Sequence, residues 1–309
     1  MPWLQVETTA GHSDPHALEE ALTEMGAVAV WLSNAGNEPV LEPAPGATPL
    51  WAESIVTALF ADAAAQDEVI SGLENIVPPA DLRFSIVEDR DWQAEWQDAL
   101  CPLQFGDRLW IIPDAGHATP PDAAVVTLQP GMAFGTGEHP TTAMCLNWLT
   151  RQQLGSKTIL DYGCGSGLLG IAAVALGAQS CCAVDIDPQA LKATRQNADH
   201  NGCGDRVRTV NPIINPLTTP NALDSAETSP QYDVLVANIL SDTLIELGPL
   251  LCRLLKPGAP LALTGILSGQ ADQVDDAWAD WADIGVSDQE GEWVLLSGHK
   301  HRDAQGKMD

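Results

Sequence analysis

The stretch Ile159-Leu160-Asp161-Tyr162-Gly163-Cys164-Gly165-Ser166-Gly167, followed by Val184-Asp185-Ile186-Asp187 with Asp185 22 residues beyond Gly163, decides the fold. It reads as a strand, a glycine turn, a helix and a second strand ending in an acid, the arrangement that holds a nucleoside-bearing cofactor. Glycine lets the turn bring backbone N–H groups up to a ligand where a Cβ would block close approach or a positive φ. The acid at the end of the next strand is placed to accept hydrogen bonds from both ribose hydroxyls.

The glycines fit two registers. Gly163-x-Gly165-x-Gly167 behind Asp161 resembles the motif of class I S-adenosylmethionine-dependent methyltransferases, whereas Gly165-x-Gly167-x-x-Gly170 satisfies the dinucleotide fingerprint. The first is favoured because a carboxylate at Asp161 suits the cationic amino-acid end of S-adenosylmethionine and would repel a pyrophosphate. A second element, Val236-Ala237-Asn238-Ile239-Leu240, puts a polar side chain at a strand's carboxyl end, where ligands bind in open α/β sheets.

Around this centre, strands and helices alternate from Thr158 to Ala282, with a β lead-in at Leu109 to Ile112 and Ala124 to Leu128 and a helix from Thr141 to Arg151 before them. The alternation predicts a doubly wound, mostly parallel sheet. Ile284 to Ser287 and Trp293 to Leu296 read as a closing antiparallel hairpin, and the charged tail from His299 as loose. Residues 1–88 read as a small α/β unit of ferredoxin-like order. Its elements are strand Leu4 to Thr8, helix Pro15 to Met25, strand Ala27 to Leu32, a helix from about Ala52 to Ala64 with a second short helix to Ile76, and strand Leu82 to Val87. Ala17, Leu18, Ala21, Leu22 and Met25 recur at helical spacing and are expected to face the sheet. Residues 89–100 form a candidate linker helix in which Trp92 and Trp96 lie four apart, either packing the linker on a domain or touching substrate. Residues 101–309 are then the catalytic domain.

With 309 residues, 45% apolar and 18% charged, the chain can bury a sizeable core. No targeting segment or apolar run of spanning length is read at the start or elsewhere, so a cytoplasmic protein is expected. Seven cysteines show no metal-ligand spacing and read as core thiols, with no metal expected. The net charge of −28 argues against a nucleic-acid-backbone binder and suits a basic protein partner, or simply serves solubility.

One further segment narrows the family: Pro130-Gly131-Met132-Ala133-Phe134-Gly135-Thr136-Gly137-Glu138-His139-Pro140-Thr141-Thr142. Together with the Asp-Trp-Gln-Ala-Glu-Trp run at 91–96, Asn238-Ile239-Leu240 and Leu263-Thr264-Gly265-Ile266-Leu267, it resembles the PrmA-type ribosomal protein methyltransferases over essentially the whole chain. The resemblance implies trimethylation of amino groups of large-subunit ribosomal protein eleven. It also implies a small N-terminal recognition domain, a flexible linker helix and a class I methyltransferase domain. A monomer acting without direct nucleic-acid or membrane binding is expected. The resemblance carries cofactor contacts onto Phe134, Gly135, Thr136 and Thr142 in the lead-in, Gly163 and Gly165 in the turn, Asp185 at the ribose, and Asn238 near the methyl. Glu138 stands where related members often carry another residue.

Methyl transfer from a sulfonium is an in-line displacement that needs an available nitrogen lone pair and good positioning. A lysine with a pKa near 10.4 is short of its neutral form by about 4 to 5 kcal/mol at pH 7, whereas an α-amine starts much closer. The carbonyl of Asn238 can accept a hydrogen bond from the neutral amine and aim its lone pair. Class I enzymes acting on planar amide or base nitrogens often carry Asn-Pro-Pro-Tyr or a relative here, with an aromatic ring to stack on the plane; Ile239 and Leu240 replace those residues and favour a flexible amine. His139 is either a general base or a loop residue fixing the turn before Pro140, and Thr141 and Thr142 can cap a helix, line the cofactor site, or do both. The remaining alternatives are a methyltransferase for glutamine or a small molecule, a nicotinamide dehydrogenase, and a non-catalytic factor retaining the cofactor fold.

Overall fold

The computed structural model describes residues 3–10, 14–36, 54–61, 66–74, 76–87, 102–113, 119–128, 137–213 and 232–302. The chain divides into two compact units, Met1–Trp92 and Gln93–Asp309. The expected linker helix with Trp92 and Trp96 lies outside the described residues, as do Phe134, Gly135 and Thr136.

The first unit runs β1 (Trp3–Thr9), α1 (Pro15–Glu24), β2 (Ala29–Asn34), β3 (Ser54–Phe60), α2 (Gln66–Leu73) and β4 (Arg83–Val87). Its four strands pair antiparallel in the order β2-β3-β1-β4, the ferredoxin-like arrangement. Asp14 caps α1 by accepting from the His16 amide at 3.0 Å, and Pro15 takes the first helical position. Leu18 and Leu22 are buried against the sheet beside Ala21 and Met25, whereas Ala17 is exposed, contrary to the sequence reading.

The helix expected at Ala52 to Ala64 is instead strand β3. Flanking alanines favour a helix locally, but Ile55, Val56 and Thr57 are β-branched and stiff at χ1, and they fit a pleated sheet better. Alternation settles the matter: Val56, Ala58 and Phe60 are buried in one core with Leu4 and Val6 of the neighbouring strand. The segment is the inner strand between β1 and β2, with Val6 opposite Ala58 and Leu32 opposite Val56.

In the second unit, β5 (Leu103–Phe105), β6 (Leu109–Ile112) and β7 (Ala124–Thr127) form a three-stranded sheet. Then follow α3 (Pro140–Thr150), β8 (Thr158–Tyr162), α4 (Leu168–Ala175), β9 (Ser180–Val184), α5 (Pro188–His200), β10 (Val207–Val210), β11 (Val234–Asn238), α6 (Ser241–Leu254), β12 (Pro260–Leu267), α7 (Ala271–Trp278), β13 (Ala282–Glu290) and β14 (Trp293–Lys300). The seven-stranded sheet has the order β10-β9-β8-β11-β12-β14-β13, parallel through β12 and closed by the antiparallel hairpin β13–β14. Strand order reverses between β8 and β11, which makes their carboxyl ends the switch point where ligands bind in such sheets.

Successive residues of the central strands feed two cores. Ile159, Val234, Val236 and Cys181 pack in the cluster that contains α3 and α4, while Leu160, Leu235, Ala237 and Cys182 pack with α6 and α7. The six cysteines among the described residues are free and buried. β14 runs on to Lys300, which corrects the expected loose tail over residues 299–302; residues 303–309 lie outside the described residues. The Lys300 amide donates to Ala259 O at 2.9 Å, and its Nζ donates to Leu255 O at 2.8 Å, so the charged side chains sit on paired backbone.

Trp278 is completely buried under α6, and its indole N–H donates to Leu244 O at 3.0 Å. Trp278→Ala is therefore expected to cost about 3–5 kcal/mol, from the cavity and the orphaned carbonyl together. Equilibrium urea unfolding followed by circular dichroism checks this; a loss below about 1 kcal/mol would contradict the packing described.

Candidate active site

The turn after β8 has a left-handed backbone at Gly163, Gly165 and Gly167, with φ of +76°, +53° and +80°. L-residues rarely adopt these angles, so the glycines are a steric requirement. Gly163 and Cys164 both donate to Val184 O, at 2.8 and 3.0 Å, which ties the turn to the end of β9. From below, Thr194 of α5 donates its hydroxyl to Gly165 O at 3.0 Å, and Asn197 donates its amide to Ser166 O at 2.8 Å. Both side chains are buried. The sequence reading missed these two supports; their signal is a pair of polar residues three apart on the inward face of a helix that otherwise buries alanines.

Asp185 stands at the end of β9. One carboxylate oxygen accepts from the Gly165 amide at 3.0 Å and the other from the Asp187 amide at 2.9 Å. Each oxygen keeps a second lone pair, so the group is oriented and still able to take two ribose hydroxyls.

Asp161 is fully buried. Its Oδ2 accepts from the Gly170 amide in the first turn of α4 at 2.8 Å, while Oδ1 has no hydrogen-bond partner among the described residues. Burial pushes its carboxyl up to about 7, the Gly170 bond opposes that rise, and the nearby Asp185 adds to it. A buried carboxylate with one oxygen unpaired is costly until a cation meets it. Gly170, the third glycine of the dinucleotide register, has a packing role, since a Cβ there would come within 2.5 Å of Cys181 Sγ and 3.0 Å of Asp161 Oδ2.

Asn238 closes β11 beside this turn. Its Nδ2 donates to Thr141 Oγ1 at 3.2 Å and to Thr142 Oγ1 at 3.3 Å, both in the first turn of α3. The structure thus brings Thr142 and Asn238 together, and adds Thr141 to the set. His139 caps α3: its Nδ1 accepts from the Thr141 amide at 3.4 Å and lies 2.7 Å from Thr141 Oγ1. Its ring meets Trp293 of β14 edge to face at 5.3 Å between centroids. Burial lowers the His139 pKa, and Glu290 partly offsets the effect. Ile239 packs under the glycine turn, with its Cγ2 2.1 Å from where a Gly163 Cβ would stand. Leu240, the next residue, is 54% exposed.

An oriented acid for the ribose and a close-approach glycine turn fit S-adenosylmethionine, and beside them Asp161 holds an unpaired carboxylate oxygen in the interior. Among the described residues, no group of three metal-ligating side chains occurs and no helix is long and apolar enough to cross a membrane.

The family model described as ribosomal protein L11 methyltransferase (PrmA) matches residues 2–301. A ribosomal protein L11 methyltransferase of Marinobacter nauticus is 43% identical, covering 97% of this chain and 99% of that protein. Its counterpart in Pseudomonas aeruginosa strain LESB58 is 42% identical over 98% of this chain and all of that one. Among solved structures, a ribosomal protein L11 methylase from Lactobacillus delbrueckii subsp. bulgaricus aligns with a TM-score of 0.55 and 28% identity, covering 65% of this chain and 98% of its own. With its glycine turn, Asp185 and Asn238 assembled at one switch point and the family match running nearly end to end, the chain belongs to the ribosomal protein L11 methyltransferase (PrmA) family.

Proposed function

We propose that this protein transfers methyl groups from S-adenosylmethionine to lysine side-chain and N-terminal α-amines of large-subunit ribosomal protein L11, working in the cytoplasm as a monomer. The observation that carries the reading is the Asn238 amide at the switch point, its NH2 group held by two threonine hydroxyls, next to the exposed aliphatic Leu240. An amide held that way turns its carbonyl to an incoming amine, and the two aliphatic residues offer no ring for a planar acceptor to stack on.

In this reading Asp185 holds the ribose, and Gly163 and Gly165 let the chain approach the cofactor. Thr142 and Asn238 line the methyl end, and the family pattern carries further cofactor contacts onto Phe134, Gly135 and Thr136. Asp161 neutralises the ammonium of the cofactor's amino-acid end. When bound, S-adenosylmethionine supplies an electrophilic methyl: the amine lone pair forms the C–N bond as the C–S bond breaks and its electrons pass to sulfur. Asn238 accepts a hydrogen bond from the neutral amine and directs its lone pair, and the proton of the product leaves to water.

The N-terminal unit, read as residues 1–88 followed by the 89–100 linker and the catalytic domain at 101–309, is assigned to substrate recognition. Residues 1–92 contain sixteen acidic side chains against two arginines and no lysine, which suits a basic ribosomal protein. The same charge disfavours a nucleic-acid backbone.

Incubating the enzyme with labelled S-adenosylmethionine and unmethylated L11, then mapping by mass spectrometry, is expected to place label on lysine or N-terminal amines. Asn238→Ala should lower kcat by about 100-fold, the scale of losing a positioning contact. Labelled glutamine, or no labelled amine, would overturn the assignment. Asp185→Ala should weaken cofactor binding by about tenfold or more in calorimetric titration, as expected for lost charge-assisted hydrogen bonds.

Asp161 predicts a pH dependence. Its folded pKa of about 7 exceeds the ordinary 3.8, so its contribution to stability is complete below that ordinary value and is lost as pH rises through 7. Without cofactor, Asp161→Asn should therefore raise Tm relative to wild type at pH 8, and the gain should fade toward pH 4. The same variant should bind S-adenosylmethionine more weakly and abolish the proton release that accompanies binding near pH 6.5, measured by calorimetry in buffers of different ionisation enthalpy. A pH-independent difference in Tm would contradict the buried-acid reading.

A further inference from the structure

The first turn of α3 carries a hydrogen-bond chain whose direction follows from the donors alone. The backbone N–H of Thr141 can only donate, and it points at His139 Nδ1, so that nitrogen offers a lone pair. The Thr141 hydroxyl, 2.7 Å from the same nitrogen, must then spend its one hydrogen on it. With its hydrogen committed, Thr141 Oγ1 faces Asn238 as an acceptor only, which requires that Asn238 present Nδ2 there. Thr142 Oγ1 takes the second hydrogen of the same NH2 group. The amide is thereby fixed in one of its two flip states, with Oδ1 on the side away from the threonines.

We propose that His139 is a positioning residue for methyl transfer: held as the neutral Nε2–H tautomer, it orients the Thr141 hydroxyl, which in turn locks Asn238 with its carbonyl toward the acceptor amine. The inference deepens the amine-methylation reading and rests on it for the kinetic part of its test. It assigns His139 no proton transfer, since the single in-plane lone pair of the nitrogen facing the Asn238 network is already shared between the Thr141 hydroxyl and the Thr141 amide. The surroundings favour the neutral ring: burial opposes its charging, the Trp293 edge contact holds the ring plane, and Glu290 supplies the opposing pull. Were Nδ1 protonated, it would donate to Thr141, release the hydroxyl hydrogen toward Asn238, and allow the amide to turn its carbonyl the wrong way. His139 therefore does more than cap the helix, because the cap acceptor also sets the polarity of a chain that ends at the reacting centre.

The test uses substitutions that keep or remove the acceptor. Asparagine at an N-cap also accepts from the following turn, so His139→Asn should retain kcat within about threefold of wild type. His139→Ala should lose about tenfold or more in kcat, one net hydrogen bond's worth of orientation, with the KM for S-adenosylmethionine changing by less than about threefold. Thr141→Val should match His139→Ala, Thr141→Ser should restore activity, and the His139→Ala/Thr141→Val double variant should be no slower than either alone, because the residues act in series. A general base would leave the asparagine variant as slow as the alanine one, and a simple cap would lower Tm in His139→Ala while leaving kcat intact in both His139→Ala and Thr141→Val; either outcome overturns the proposal. Nitrogen-15 spectra of the cofactor-free wild-type protein give a readout independent of any methyl acceptor. They should show His139 Nδ1 unprotonated and Nε2 protonated at pH 7.5, and the Asn238 side-chain amide signals should move in His139→Ala. A protonated Nδ1, or unmoved Asn238 signals, would sink the inference even if L11 is methylated. Failure of L11 to accept methyl groups would sink the substrate assignment and leave these spectra to decide the relay.

Discussion

Ile239 is clamped between two glycines, and the carboxyl ends of three parallel strands meet through it. A Cβ on Gly163 would lie 2.1 Å from Ile239 Cγ2, and one on Gly265 would lie 2.4 Å from Ile239 O. Both glycines have positive φ, +76° and +83°. The end of β11 can therefore lie against the turn after β8 on one side and against β12 on the other only because neither neighbour carries a side chain there. This close approach holds Asn238 beside the glycine turn, and so keeps the group that would orient an acceptor amine next to the residues that would hold a methyl donor.

The rest of the site depends on keeping that junction stiff. The turn is tied above to Val184 O and held below by Thr194 and Asn197, so its carbonyls are satisfied by a helix that is itself anchored further along. Asn201, at the end of α5, pairs with both the N–H and the C=O of Thr127, each at 2.8 Å, as a neighbouring strand residue would. α5 thus links the small lead-in sheet to the glycine turn through side-chain amides. Orientation is bought here with buried hydrogen bonds, each of which would be expensive to leave half-made.

The parallel sheet, the closing hairpin, the glycine turn and the places of Asp185 and Asn238 were legible because period, punctuation and glycine spacing all agree there. The strand at Ser54–Phe60 was not, because its alanines and flanks read as helix, and only pairing on both edges decides for a strand. At Asp161 the residue type was informative but the geometry was not: one oxygen serves the helix, a use that no spacing rule reveals. Thr141 and His139 read from the chain as a helix start. Their link to Asn238 crosses 97 residues of sequence, and contacts of that span follow from the packing of elements rather than from any local pattern.

The cysteines acquire a meaning from their setting. Cys164 lies within the glycine turn itself, and Cys145 and Cys181 are buried close enough to Asp161 to feel its charge. Burial comes first and that negative neighbour second in pushing all three thiols above their ordinary range. The thiolate is the form that oxidants and alkylating agents attack, and here it is suppressed twice over. In and around the turn that shapes the candidate site, the fold therefore holds its thiols in the protonated form, the form less open to oxidants and alkylating agents.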